Sequence, residues 1–163
     1  MKTLLLLRHA KSSRDEIAVA DHDRPLNKRG RRDAPRMGRL LREEGIVPDL
    51  VLCSTAERAR ETARAVAEAS GFSGETRLER TLYLAGPSRI LATLQGLPPE
   101  VKTAMVVGHN PGLEELLGLL TGEEERFPTA ALARIALPLK TWKDLDPRVR
   151  GKLMSLWRPK EVE

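Results

Sequence analysis

Short apolar runs alternate with longer stretches whose apolar residues recur at helical spacing, and few architectures accommodate that alternation. Leu4 to Leu7 are four consecutive leucines ending in Arg8 and His9, the pattern of a strand buried on both faces that hands polar side chains to a loop. Asp49 to Cys53 and Met105 to Val107 read as further buried strands, Arg77 to Leu84 as an edge strand, and Leu132 to Leu139 and Lys152 to Trp157 as a final pair. Between them, Ala34, Met37, Leu40 and Leu41 share one helical face, and an alanine-rich helix runs to Ser70 behind Ser54 and Thr55 as capping residues. Ile90, Leu91 and Leu94 mark a helix within Pro87 to Leu97, and Leu113, Leu116, Leu117 and Leu120 mark another. The first helix starts at Asn27 and kinks at Pro35, or starts late with Asp33 as its cap. Strand-helix alternation of this kind predicts an α/β three-layer sandwich, a mostly parallel central sheet flanked by helices, with residues 1–163 as one domain.

Composition narrows the possible functions. Hydrophobic residues at 40% and charged residues at 31% suit a soluble globular chain and exclude a disordered or collagen-like one. The opening apolar run is cut by Arg8 before it reaches secretory-signal length, and no run approaches a membrane span, so no membrane association is expected. The single cysteine, Cys53, cannot form an internal disulfide, and a cytoplasmic location is expected. A net charge of +5 invites a nucleic-acid reading. Interspersed acidic residues, 3% aromatics and the lack of any nucleic-acid-binding motif turn that reading toward an anionic substrate or a solvated surface.

The candidate chemistry lies at strand ends. Arg8 and His9 follow the first strand, Arg58 follows the second and His109 follows the fourth. In open α/β sheets ligands bind beyond the carboxyl ends of the strands, so residues remote in sequence converge there. Two guanidiniums supply permanent planar donors for phosphate oxygens, and imidazole is nucleophilic near its ordinary pKa of about 6.5. Taken singly, each has a plain reading: a surface loop for Arg8 and His9, a turn for Gly108 to Pro111, a pairing of Arg58 with Glu57 or Glu61. Their joint placement at three strand ends is the signal. Three histidines and one cysteine in neither HExxH nor CxxC spacing indicate no metal, and no GxxxxGK[ST] loop occurs, so no cofactor is expected.

LLLLRHAKSS resembles the RHG-type signature of the histidine phosphatases, STAERARETA their second-arginine motif and VVGHNPG their second-histidine motif. DHDRPLNKRG and the compact length resemble the SixA-like phosphohistidine phosphatase branch in particular. The resemblance implies a phosphoglycerate mutase-like fold and a phosphate pocket of Arg8, His9, Arg58 and His109, with His9 as nucleophile. It implies as partner a phosphorylated protein, such as a phosphocarrier or phosphotransfer domain. Ala10 departs from the glycine usual after the histidine. Lys11, Ser12, Ser13 and His22 are candidates to line the entrance or contact substrate. Larger relatives use an inserted carboxylic acid to protonate the leaving group; here Asp15, Asp21, Asp23 and Glu79 are the candidates. Connections too short to form a lid predict an open pocket. A small-metabolite phosphomonoesterase and a non-catalytic phosphate-binding module remain the alternatives, and the oligomeric state is not readable.

Overall fold

The computed structural model describes residues 1–14 and 19–162, in which six strands and four helices form a mixed sheet covered on both faces. Strands β1 (Lys2–Arg8), β2 (Leu50–Ser54), β3 (Glu75–Glu79), β4 (Thr103–Gly108), β5 (Leu132–Leu137) and β6 (Lys152–Trp157) lie in the order β3-β2-β4-β1-β5-β6. All adjacent pairs from β3 to β1 are parallel, and β5 is antiparallel to both β1 and β6. Helices α1 (Lys28–Glu43), α2 (Glu57–Ser70), α3 (Pro87–Gln95) and α4 (Gly112–Thr121) complete the layers.

Side-chain alternation along β1 explains why its middle, Leu4 to Leu7, is apolar without a break. Leu5 and Leu7 pack with Met37, Leu41, Ala59 and Val66 of α1 and α2, whereas Leu4 and Leu6 pack with Ile90, Leu94, Leu113 and Leu116 of α3 and α4. Both faces are covered over Leu4 to Leu7, so none of these four positions is free to be polar, and polar residues stand only at the strand's ends, Lys2 and Thr3 before and Arg8 after. Cys53 belongs to the α1–α2 side, fully buried, and burial pushes its thiol up to about 12, the state of a small core hydrophobe.

Helix α1 is continuous through Pro35, and the Asn27 side chain caps it by accepting from the Gly30 N–H at 2.9 Å. Asp33 is an interior residue rather than a cap, buried within 3.5–3.7 Å of Arg29, Arg32 and Arg36. Helix α2 has Ala56 at its cap position with no side-chain cap bond, while the Ser54 hydroxyl accepts from the Ala56 N–H and Thr55 turns to His22. The edge strand ends earlier than its sequence pattern predicts. Glu79 pairs with Ser54, the last residue of β2, and beyond that point no partner backbone continues, so Arg80–Leu82 coils into a 3-10 turn that buries Leu82. Pro138 follows the last residue of β5 and supplies no N–H for the ladder.

The connection between β1 and α1 is the long one, contrary to the expectation of short connections throughout. It contains the 3-10 turn Asp21–Asp23 and folds back toward the sheet end, where Ser12 bridges to Leu26. Among the described residues no helix is long and apolar enough to cross a membrane.

Candidate active site

Parallel pairing places the carboxyl ends of β1, β2 and β4 at one edge of the sheet, and the side chains that follow them meet there. The His9 N–H bonds the Gly108 carbonyl at 3.1 Å, and the Ala130 N–H bonds the carbonyls of Arg8 and His9. This fixes the backbone of the β1 exit between the β4 exit and the entry to β5. On the other side, the buried Thr62 hydroxyl accepts from the Ala10 N–H at 2.9 Å and donates to the Arg58 carbonyl at 2.7 Å, tying the His9 loop to α2. Two glycines permit the close approaches that complete the frame. A Cβ on Gly30 would stand 2.2 Å from the Lys11 carbonyl oxygen, and one on Gly112 would stand 1.9 Å from that of Ala85.

The tautomer of His9 follows from its partner. A carbonyl oxygen only accepts, so the 2.7 Å contact with Ala10 O requires a proton on Nδ1 and leaves Nε2 as a lone pair. The Arg58 Nε–H donates to that Nε2 at 3.3 Å. His109 lies with its ring centroid 5.2 Å from that of His9; its Nε2 bonds the Ser54 hydroxyl at 2.7 Å and its Nδ1 faces Arg58 Nη2 at 3.5 Å. His9, Arg58 and His109 are 6%, 3% and 3% exposed. Burial lowers His9 to about 3 and His109 to about 4, and the neighbouring arginines push both the same way. Both rings are therefore neutral at pH 7.

Arg8 reaches the same space with Nη1 on the Phe127 carbonyl at 3.1 Å, and its buried Nε has no partner among the described residues. The Asn110 side-chain amide donates to that same carbonyl at 2.7 Å. A cleft of about 290 Å³ is bounded by Arg8, His9, Arg58, His109 and Asn110, and the β1–α1 connection adds Lys11, Ser12, Arg14, Asp21 and Arg24 to its wall. Floor and wall thus carry several cations around two neutral imidazoles, an arrangement able to bind a phosphoryl group and offer it an unprotonated nitrogen.

The other expected residues separate. Lys11 lines the cleft, whereas Ser13 and His22 do not belong to its lining. The Ser13 N–H bonds Pro25 O, and its carbonyl accepts from Arg24. His22 packs edge-on against Tyr83, 4.8 Å between centroids, with Nε2 on the Thr55 hydroxyl at 2.8 Å. Of the acid candidates, Glu79 borders a different cavity with Arg77 and Arg89, and Asp23 is an exposed neighbour of His22. Asp15 lies outside the described residues. Asp21 does line the cleft, but the Tyr83 hydroxyl above all, together with Arg24 and Arg58, holds its carboxyl well below the usual carboxylate range. It is an ionised acceptor and has no proton to donate. Among the described residues no group of three His, Cys, Asp or Glu side chains could hold a metal ion.

Arg24, Ser54, Thr62 and Tyr83 have structural roles at this site that sequence patterns did not reveal. Thr62 had a signal, since it stands four residues after Arg58 on one helical face. Ser54 and Thr62 also lie within STAERARETA and Arg24 within DHDRPLNKRG, whereas Tyr83 has no signal in sequence.

Residues 4–82 match the family model for the histidine phosphatase superfamily, branch 1. A solved structure from Nakamurella multipartitia, assigned as the phosphohistidine phosphatase SixA, is 32% identical to this chain, with a TM-score of 0.86 over 97% of this chain and 96% of that one. The chain belongs to the histidine phosphatase superfamily. An uncharacterized protein of Mycobacterium tuberculosis is 36% identical over 152 residues, 86% of this chain and 92% of its own. The mycobacterial glucosyl-3-phosphoglycerate phosphatase, at 16% identity and a TM-score of 0.70 over 95% of this chain and 98% of that one, shares the fold. This histidine phosphatase therefore has the phosphoglycerate mutase-like α/β architecture, and its family is one of phosphatases.

Proposed function

We propose that this histidine phosphatase hydrolyses phosphohistidine carried on a protein, through a covalent intermediate on His9. The observation that carries the reading is the state of that ring: Nδ1 is committed to Ala10 O, and Nε2 is an unprotonated lone pair at the base of a cationic cleft. A module that only bound phosphate would have no use for such a nitrogen, since a lone pair repels phosphate oxygens.

In the first step His9 Nε2 attacks phosphorus, and the bond from phosphorus to the substrate nitrogen breaks with its electron pair leaving on that nitrogen. Arg8 and Arg58 neutralise the equatorial oxygens. His109, neutral before substrate arrives, gains a reason to hold a proton once a phosphoryl anion lies beside it, and then donates a hydrogen bond as charge redistributes. In the second step water attacks phosphorus, the P–Nε2 bond breaks, the lone pair returns to His9 and inorganic phosphate leaves with the remaining water proton shed to solvent.

Leaving-group chemistry supports a phosphoramidate. Asp21, the described carboxylate in the cleft, is ionised and cannot protonate an alkoxide. An imidazole takes a proton on its far ring nitrogen near pH 6.5 and so departs as a neutral ring without a strong acid. Similarity to the SixA protein at 32% identity points the same way, and Lys11 in the cleft wall suits contact with the substrate. A small phosphorylated metabolite is the second reading, favoured by Arg14 in the wall, a cation suited to another anionic group. The test compares kcat/KM for a phosphohistidine carrier protein with that for sugar phosphates and phosphoserine peptides. Higher efficiency on the carrier protein is expected, and a sugar phosphate hydrolysed far faster overturns the substrate assignment.

A further inference from the structure

We propose that Asp21 is a positioning residue that holds the Arg58 guanidinium fixed while its other donors pass from the two histidines to the phosphoryl group. This rests on the function proposed above. Arginine has five N–H donors. In the resting structure Arg58 spends Nε–H on His9 Nε2 at 3.3 Å and faces His109 Nδ1 with Nη2 at 3.5 Å. Two further bonds go to one residue: Nη1 to the Asp21 backbone carbonyl at 2.7 Å and Nη2 to Asp21 Oδ2 at 3.1 Å.

These two pairs of bonds have different fates in the reaction. Once His9 Nε2 bonds to phosphorus it has no lone pair for Arg58, and the Nε–H must turn to a phosphoryl oxygen. The donor facing His109 is released in the same way when that ring takes a proton. Both imidazole bonds are therefore lost just when the guanidinium must hold its geometry, and the Asp21 bonds persist from rest through transfer. They grip the two terminal nitrogens, which fixes the guanidinium plane and allows the exchange of acceptors with little movement.

Asp21 is braced for that task although its side chain is 49% exposed. Oδ1 accepts from Arg24 Nε at 3.1 Å and Nη2 at 2.9 Å, and Arg24 Nη1 in turn holds the Ser12 hydroxyl at 2.9 Å. Oδ2 accepts from the Tyr83 hydroxyl as well as from Arg58. The Tyr83 ring stands edge-on to both His22 and His109. With four donors on two oxygens, the carboxylate has no vacant acceptor site for a leaving group. Its contribution runs through Arg58.

The experiment is a double-mutant cycle of Asp21→Asn and Arg58→Ala on the whole protein, with 4-nitrophenyl phosphate, phenyl phosphate and a phosphohistidine carrier protein as substrates. Asn keeps the backbone carbonyl and the side-chain shape but turns one acceptor into a donor. Asp21→Asn alone is expected to lower kcat about 10- to 100-fold, the scale of a lost charge-assisted bond at a reacting centre, by the same factor for both aryl phosphates. In the Arg58→Ala background it should change kcat by less than about twofold. Inhibition of Asp21→Asn by inorganic phosphate should stay within about threefold of wild type, because the Arg58 charge remains and a competing carboxylate is gone, whereas vanadate, which adopts the transfer geometry, should bind more weakly by a factor close to the loss in kcat. Additive losses in the cycle, a loss that grows from the nitrophenyl to the phenyl ester as for a proton donor, or unchanged kcat would each overturn the role. A wild-type protein inert toward every phosphorylated substrate would instead overturn the function, and this role with it.

Discussion

Thr62→Val isolates the frame behind the nucleophile. The substitution keeps the shape of a fully buried side chain on α2 and removes the hydroxyl that accepts from the Ala10 N–H at 2.9 Å. The Arg58 carbonyl loses only a secondary donor, because the α2 helix continues past it. The Ala10 N–H, in contrast, is left buried with no acceptor, a loss of about 1–3 kcal/mol. For a domain of this size each kcal/mol lowers Tm by roughly 2–4 °C, so a decrease of about 2–12 °C is expected. The catalytic consequence runs through the next bond, since Ala10 O is the acceptor that orients His9 Nδ1. A loosened Ala10 peptide lets the imidazole rotate, and a misplacement of about 1 Å costs on the order of 100-fold in rate. Thermal melts and steady-state kinetics on the wild type, Thr62→Val and Thr62→Ser decide the matter: serine should restore both Tm and kcat. A valine variant with wild-type Tm and kcat would show that the Thr62 hydroxyl holds nothing at the site, and one that loses Tm at full kcat would show Thr62 to serve the fold alone.

Arg58→Lys should lose at least about 100-fold in kcat/KM, because an ammonium cannot span His9, His109 and Asp21 as a planar fork does; near wild-type kinetics would remove Arg58 from the site. Gly30→Ala on an ordinary helix would stabilise by up to about 1 kcal/mol, but here the Cβ meets the Lys11 carbonyl oxygen at 2.2 Å, so chemical denaturation should show destabilisation of about 1–3 kcal/mol. A gain in stability would show that the loop yields freely. Stability should also fall on acidification. His9 and His109 titrate at about 3 and about 4 when folded and near 6.5 when unfolded, so between those values the unfolded chain binds more protons. The loss is up to about 2 kcal/mol per histidine from pH 6.5 to 5. Urea titrations over that range should show the slope in wild type and a shallower one in His109→Gln; equal slopes would contradict the buried neutral state.

Much of the fold was legible because burial on both faces leaves a plain trace. The runs at Leu4 to Leu7, Leu50 to Cys53 and Ala104 to Val107 are apolar since helices cover each side, and the polar residues that break them mark where the chain leaves the sheet. Arg8, His9 and His109 were visible for that reason. The ends of β3 were not, because an edge strand stops where its neighbour stops, and Ser54 is 25 residues away from Glu79 in the chain. Asp21 was visible as a carboxylate but its role was not. Whether it donates or accepts depends on Tyr83, Arg24 and Arg58, and the bonds to Tyr83 and Arg58 span 62 and 37 residues with no periodicity to announce them. The β1–α1 connection looked like a plain loop for a similar reason: its Lys11, Arg14 and Arg24 become part of a cleft only when Ser12 pairs with Leu26 and Gly30 lets α1 approach Lys11.

If the phosphoryl group passes through His9, the intermediate can be trapped. The enzyme is mixed briefly with a phosphohistidine carrier protein and stopped in alkaline denaturant, since a P–N bond is cleaved once acid protonates its nitrogen. Intact-mass measurement followed by peptide mapping then locates any added group. A phosphoryl group is expected on the peptide containing His9, seated on Nε2, forming within one turnover and absent from a folded His9→Ala variant with no turnover. Turnover by His9→Ala at the wild-type rate, or a phosphoryl group found on another residue at the same kinetic competence, would contradict passage through His9.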